Sequence, residues 1–261
     1  MTMAMQKRFQ YGISRRDGLL AVLILFLQAS AGLAAGENAA VDTTHYAGLF
    51  AGSGWVDNHV VDVEGFANWG QPGWKVDHQD SGFVAGVLAG RQFGTGRTRF
   101  RIEVDGTLGD MSATSNQLDP ADLDETVKSE FRWIATARAG VVHPVGPATL
   151  FASAGAALAR ISNSVTDIDF GPDMPPRKDP DDSFHDSSNE TGWVIGLGVE
   201  APLSDAWNLR FEGMYMDFGR STHHVNRSSD ARCGPGNPRK PCPYRIENTY
   251  ANVRLAVIRR F

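Results

Sequence analysis

Ser221, His223 and His224 fall within four residues of one another, and Asp217 stands just before them. A serine beside a histidine base, with a carboxylate to orient that base, is the minimal set for acyl transfer. The blander reading, and the one favoured here, is that the histidines are solvated link residues; no hydrolase signature surrounds them, and no catalysis is expected. A second set of ionisable residues is patterned differently. Arg99, Arg101, Glu103 and Asp105 occupy alternate positions, and Arg132, Arg138, Glu200, Arg210, Glu212 and Arg254 fall on the polar parity of other alternating stretches. Period-two spacing places such residues on one face of a strand. Charges on an enclosed face must be paired or wet. The expectation is therefore a network in which Glu103, Glu200 and Glu212 meet Arg138, Arg254 and their neighbours, as a rigid filling and not an ion path.

The elements that would position these residues are all strands. Apolar alternation marks eight: 46–56, 82–93, 99–108, 131–143, 149–161, 192–203, 207–218 and 245–261. In the third, Phe100, Ile102, Val104 and Leu108 oppose the charged residues, and in the seventh Asp217 falls on the apolar parity, either because the strand is leaving its apolar surroundings or because a bulge has shifted it. Between strands lie polar segments: one is acidic with a short helical turn expected around 120–126, and another, 163–190, carries seven aspartates with several prolines and is expected to be mobile. Its aspartate spacing matches no EF-hand loop, so no metal is expected.

The N-terminus adds an export signal. Lys7, Arg8, Arg15 and Arg16 precede an apolar run at 19–27 and then small residues, which reads as a signal peptide over 1–35 with cleavage between 31 and 35, followed by a linker at 36–44 and a barrel over 45–261. Removing those four basic residues and Asp17 takes the net charge from −5 to −8, which argues against a nucleic-acid partner. No later segment is apolar and uncharged for long enough to make a membrane helix, so a membrane span would have to be built of strands. Cys233 and Cys242 share one Gly/Pro-rich stretch of an exported chain, where a disulfide is expected.

The links between strands alternate long and short, beginning and ending long. An up-and-down ring would gather every long link at one end, with both termini at the other. Alternation alone does not say which face looks outward, because a lipocalin-like carrier is apolar inside. The aromatic residues decide it. On the apolar parity Trp55, Phe83, Trp133, Trp193 and Tyr215 sit at the long-link ends, and Phe93, Phe100, Trp207 and Phe261 at the short-turn ends. Two such rings are what the aromatic girdles of a membrane barrel would look like. The fold expected is an all-β, eight-stranded antiparallel up-and-down transmembrane β-barrel with its apolar face toward lipid.

Tyr46-Ala-Gly-Leu-Phe-Ala-Gly52, Gly82-Phe-Val-Ala-Gly86, Ile102-Glu-Val-Asp105, Thr136-Ala-Arg138-Ala-Gly140, Trp193-Val-Ile-Gly-Leu-Gly-Val-Glu200, Phe211-Glu212 and the closing Phe261 resemble, in that order, the small opacity-type, OmpA-like outer-membrane barrels. The resemblance implies a monomer embedded in outer-membrane lipid and lipopolysaccharide, with periplasmic termini and extracellular long loops, contributing to envelope integrity and surface properties without cofactor or reaction. The terminal strand ending at Phe261 resembles the signal read by the barrel insertion machinery. Ala201 and Gly213, where an aromatic residue often follows the glutamate, and the long cysteine-bearing last loop depart from the family pattern. Two alternatives stay open: a surface-recognition, adhesin or haem-binding barrel, with His59, His78, His185, His223 and His224 as candidate axial ligands, and a lipid A-modifying barrel enzyme built on Ser221 and His223.

Overall fold

In a computed structural model the chain divides into two units, Met1–Ala40 and Val41–Phe261. The structure describes residues 43–63, 72–73, 75–118, 124–171, 174–225 and 242–261. The expected signal peptide, its cleavage region and Cys233 lie outside these residues.

Period-two alternation produces strands throughout: β1 (Thr43–Asp62), β2 (Lys75–Phe93), β3 (Arg99–Gly109), β4 (Ser112–Leu118), β5 (Asp124–Val145), β6 (Ala148–Gly171), β7 (Met174–Pro202), β8 (Trp207–Val225) and β9 (Cys242–Arg260). Neighbouring strands pair antiparallel, β1 pairs with both β2 and β9, and β3 pairs with both β2 and β5, which closes the ring. Nine strands fill eight positions. β4 prolongs β3 beyond an interruption at Gly109, whose φ of +152 favours glycine, and the ladder resumes through the Phe131 N–H donating to the Met111 carbonyl at 2.8 Å, with Ser112 opposite Glu130. Closure satisfies the edge groups that hydrocarbon could not.

The strands are longer than apolar alternation suggested, from 19 to 29 residues in β1, β2 and β5 to β9. Polar segments read as links continue as ladder, because beyond the apolar belt a strand needs only pairing and not an apolar face. Asp124–Thr126, expected in a helical turn, belongs to β5. Much of the acidic segment expected to be mobile is the β6–β7 hairpin, with Asn163 opposite Asp186 and Val165 opposite Phe184, all but Asp186 buried.

Two bulges, apart from the register shifts at Val165/Asp167 and Asp169/Gly171 in the β6–β7 hairpin, set which residues face inward. One falls between Phe131 and Trp133 in β5 and expels Arg132, expected inside, to an exposed position 3.7 Å from Glu130. The other lies between Asp217 and Arg220 in β8, where Gly219 adopts φ +72 and donates its N–H to Asp217 Oδ1 at 2.7 Å. The bulge comes after Asp217, which keeps the outward parity of Tyr215 opposite Thr249, so it is not what places Asp217 on the apolar side.

Inward glycines are slots for rings. A Cβ on Gly198 would overlap Phe151, and one on Gly90 would overlap Tyr46, each aromatic reaching across from a neighbouring strand. A Gly198→Val variant is expected to lose about 1–3 kcal/mol, the usual range for forcing extra carbon into a filled interior. The check is the urea midpoint for loss of the fast-migrating, unboiled gel species; an unchanged midpoint would contradict the packing described.

Candidate functional site: the braced lumen and the polar belt above it

Eight charged side chains meet inside the ring, each at most 5% exposed: Arg101, Glu103, Asp105, Arg138, Glu200, Arg210, Glu212 and Arg254. Four carboxylates face four guanidinium groups, so the formal charges cancel. Glu103 is the hub. It accepts hydrogen bonds from Arg138 and Arg210, and from the Tyr46 hydroxyl at 2.8 Å. β3 and β8 stand four positions apart in the ring of eight, so the Glu103–Arg210 pair spans the lumen.

The remaining bonds brace other directions. Glu200 accepts from Arg101 at 2.9 Å, Arg210 at 3.0 Å and, at the rim, Arg260 at 2.9 Å. Glu212 accepts from Arg254 at 2.7 Å, and Asp105 from Arg138 at 3.0 Å and the Thr136 hydroxyl at 2.6 Å. Aromatic faces supply the rest of the solvation: Arg101 and Arg210 lie 4.6 and 5.0 Å from the Phe151 centroid, and Arg254 lies 4.2 Å from that of Phe50. Arg99 is only half-buried at the rim, and Arg132 is outside, so neither belongs to this core as expected.

Sequence reasoning missed the apolar filling above the charges. Val56, Val84, Phe131, Ile134, Met216, Phe218 and Tyr250 form a cluster inside the ring. Their signal is in the sequence, since Met214, Met216 and Phe218 share the parity of Arg210 and Glu212, but the charged residues on that parity mark it as polar. Outside, the apolar parity faces away from the ring. Trp55, Phe83, Trp193 and Tyr215 toward the long links, and Phe100, Trp207 and Phe261 toward the short turns, are 40–70% exposed, while Trp133 and Phe93 are partly covered.

Nearer the long links a second polar layer crosses the lumen. His78 Nε2 meets Ser129 Oγ at 3.2 Å, Ser129 donates to Asn163 Oδ1 at 2.8 Å, and Asn163 Nδ2 lies 3.4 Å from His223 Nε2. Burial pushes the His78 imidazole down to about 4. His59 lies outside, its ring nitrogen 2.6 Å from Asp77 Oδ1, whose hydrogen bond raises the imidazole above its ordinary value. His185 Nε2 faces Ser162 Oγ at 3.3 Å, and His224 is exposed. Asp217, the carboxylate nearest His223 in sequence, instead caps the bulge; Asp186 stands beside the imidazole.

A closed antiparallel ring with an apolar exterior and an ion-paired interior defines an outer-membrane-type β-barrel. The chain belongs to the outer membrane protein beta-barrel domain family, whose family model matches residues 18–234. A 22 kDa outer membrane protein from Rhizobium leguminosarum bv. viciae is 25% identical over 157 residues, covering 60% of this chain and 62% of that protein. The match thus spans less than two thirds of the curated relative. Among solved structures, OprG from Pseudomonas aeruginosa is similar with 12% identity and a TM-score of 0.49, over 83% of this chain and 95% of OprG. The attachment invasion locus protein Ail of Yersinia pestis has 10% identity and a TM-score of 0.32, over 83% of this chain and 98% of Ail. At these scores the two structures have no bearing on function.

Arg138→Ala is expected to strip the shared cation from Glu103, Asp105 and Glu212 and to cost about 3–5 kcal/mol, as for other broken buried pairs. The Arg132→Ala variant should change stability by less than about 0.5 kcal/mol. Urea titration of the two folded barrels separates them. Acid should also weaken the fold through His78. Its imidazole takes up a proton near pH 6.5 when unfolded and near 4 when folded, so stability falls as pH drops through that window, by up to about 3 kcal/mol. A His78→Asn variant should show a flatter pH dependence over the same range.

Proposed function

We propose that this protein is a structural outer-membrane barrel that stiffens the envelope and presents long strand hairpins at the cell surface. One observation carries the reading: an apolar, aromatic-banded exterior surrounds an interior cross-braced by a neutral set of buried ion pairs. A lumen filled by mutually paired side chains resists deformation, and each of its buried charges stands against an opposite one. In this reading Trp55, Phe83, Trp133, Trp193 and Tyr215 lie at one lipid–water interface and Phe93, Phe100, Trp207 and Phe261 at the other. The termini are periplasmic and the long links extracellular, with lipid and lipopolysaccharide around a monomer. The strand that runs up to Phe261 is the segment offered to the insertion machinery.

Surface recognition is the second reading. β6 and β7 remain paired as far as Gly171 and Met174, well past Trp193, so a paired hairpin stands above the aromatic level. A ladder that projects past the apolar belt suits contact with other molecules more than it suits sealing a bilayer.

The protein is expected in the outer-membrane fraction, shifting in gel mobility on boiling, and silent in planar bilayers. Arg138→Ala together with Glu212→Ala should open measurable conductance if the ion network is the plug. Steady conductance by the wild-type barrel would refute the filling role.

A further inference from the structure

The bulge after Asp217 reverses the inward parity of β8, so that Ser221 and His223, and not Thr222 and His224, face the lumen. Register between β6 and β7 places Asp186 opposite Asn163, within reach of the same imidazole. Ser221 Oγ lies 2.8 Å from His223 Nε2, and His223 Nδ1 lies 3.0 Å from Asp186 Oδ2. An ionised carboxylate only accepts, so Nδ1 carries the proton and Nε2 is left to accept from the serine hydroxyl. That is the tautomer a general base requires.

The surroundings hold this arrangement. Phe184 stacks on the His223 ring at 5.2 Å with 8° between planes. Asn163 is 2% exposed, and the Ser129 hydroxyl fixes its carbonyl oxygen, which turns Nδ2 toward the nitrogen that receives the serine proton. His223 is buried, whereas Asp186 and Ser221 are only partly so, so the serine and the carboxylate keep some accessible surface. The cross-strand neighbours of Ser221 and His223 are Ile246 and Tyr244, and these join Val60, Val165 and Phe184 in one apolar cluster.

We propose that Ser221, His223 and Asp186 form a nucleophilic triad that hydrolyses carboxylic esters bearing an apolar acyl group. Ser221 Oγ attacks the carbonyl carbon while its proton passes to His223 Nε2, and Asp186 stabilises the imidazolium. The N–H of Asn163 Nδ2 that is not turned to His223 is the donor offered to the developing oxyanion. Collapse breaks the ester C–O bond, and the leaving alkoxide takes the proton from His223. Water then gives its proton to His223 and attacks the acyl-serine, releasing the carboxylic acid and returning the proton to Ser221. Ester and water are consumed, and acid and alcohol are formed, with no other reactant. The apolar side chains of Phe184, Tyr244 and Ile246 beside His223 favour an uncharged acyl group, which is why an ester of this type and not a charged peptide is the substrate class. The activity is additional to the structural role and does not depend on it.

The test uses the full chain in outer-membrane vesicles, a fluorophosphonate probe and p-nitrophenyl butyrate, with heat-modifiable migration confirming that each variant is folded. The expected result is a phosphonyl adduct mapped to Ser221 and ester hydrolysis above vesicles lacking the protein. Both should fall at least 100-fold in Ser221→Ala and His223→Gln. Asp186→Asn should lower the rate by roughly 10²–10⁴-fold, as when the base loses its orienting carboxylate, while any remaining adduct stays on Ser221. His224→Ala, on the opposite face, should match the parent. A folded parent chain that acquires no adduct on Ser221, or one whose labelling survives His223→Gln undiminished, would overturn the proposal. If Ser221→Ala does not fold, the mapped adduct and His223→Gln decide the matter.

Discussion

The Glu103 carboxylate, held by two guanidinium groups and a tyrosine hydroxyl from three other strands, is the point through which the interior is tied together. A lone charge shut inside this ring would cost several kcal/mol, and the attraction between partners offsets that cost only when geometry is good on all sides. The requirement propagates outward. Arg210 must reach across from β8, so the ring must be narrow; Phe151 and Tyr46 must lie over the guanidinium planes, so Gly198 and Gly90 must leave room for their rings. An eight-position ring is the size at which side chains can meet in this way.

Ring closure imposes the second condition. With β3 paired to both β2 and β5 the ring closes, and its exterior can be apolar over the span between the two aromatic levels. Beyond that span the rules relax. The ladder continues with polar residues, and the interior changes from ion pairs to an apolar cluster and then to the neutral belt of His78, Ser129, Asn163 and His223. The two bulges lie near this change of regime, and each moves a polar side chain across the sheet: Arg132 outward in one case, Ser221 and His223 inward in the other.

Alternation made the ring, its orientation and most of the ion network readable from residue types, because period two assigns a face without any knowledge of partners. Arg101, Glu103, Arg138, Glu200, Arg210, Glu212 and Arg254 could be placed inside on that ground alone. The same method failed where its assumption failed. Arg132 sits on a bulge, Arg99 at a rim, and residues 163–165 and 184–190 lack apolar alternation yet pair as strand.

What the sequence determined by itself was therefore the period, and with it an apolar outside, a charged inside and a succession of strands, since each follows from local sterics and from which side chains tolerate lipid. Which carboxylate stands beside His223 was decided only in three dimensions. Asp217 is nearer in sequence, but one extra residue in β8 turns it away, and Asp186 arrives from another strand through register. A single-residue slip reverses every face beyond it, and no local pattern records where such a slip has been accommodated.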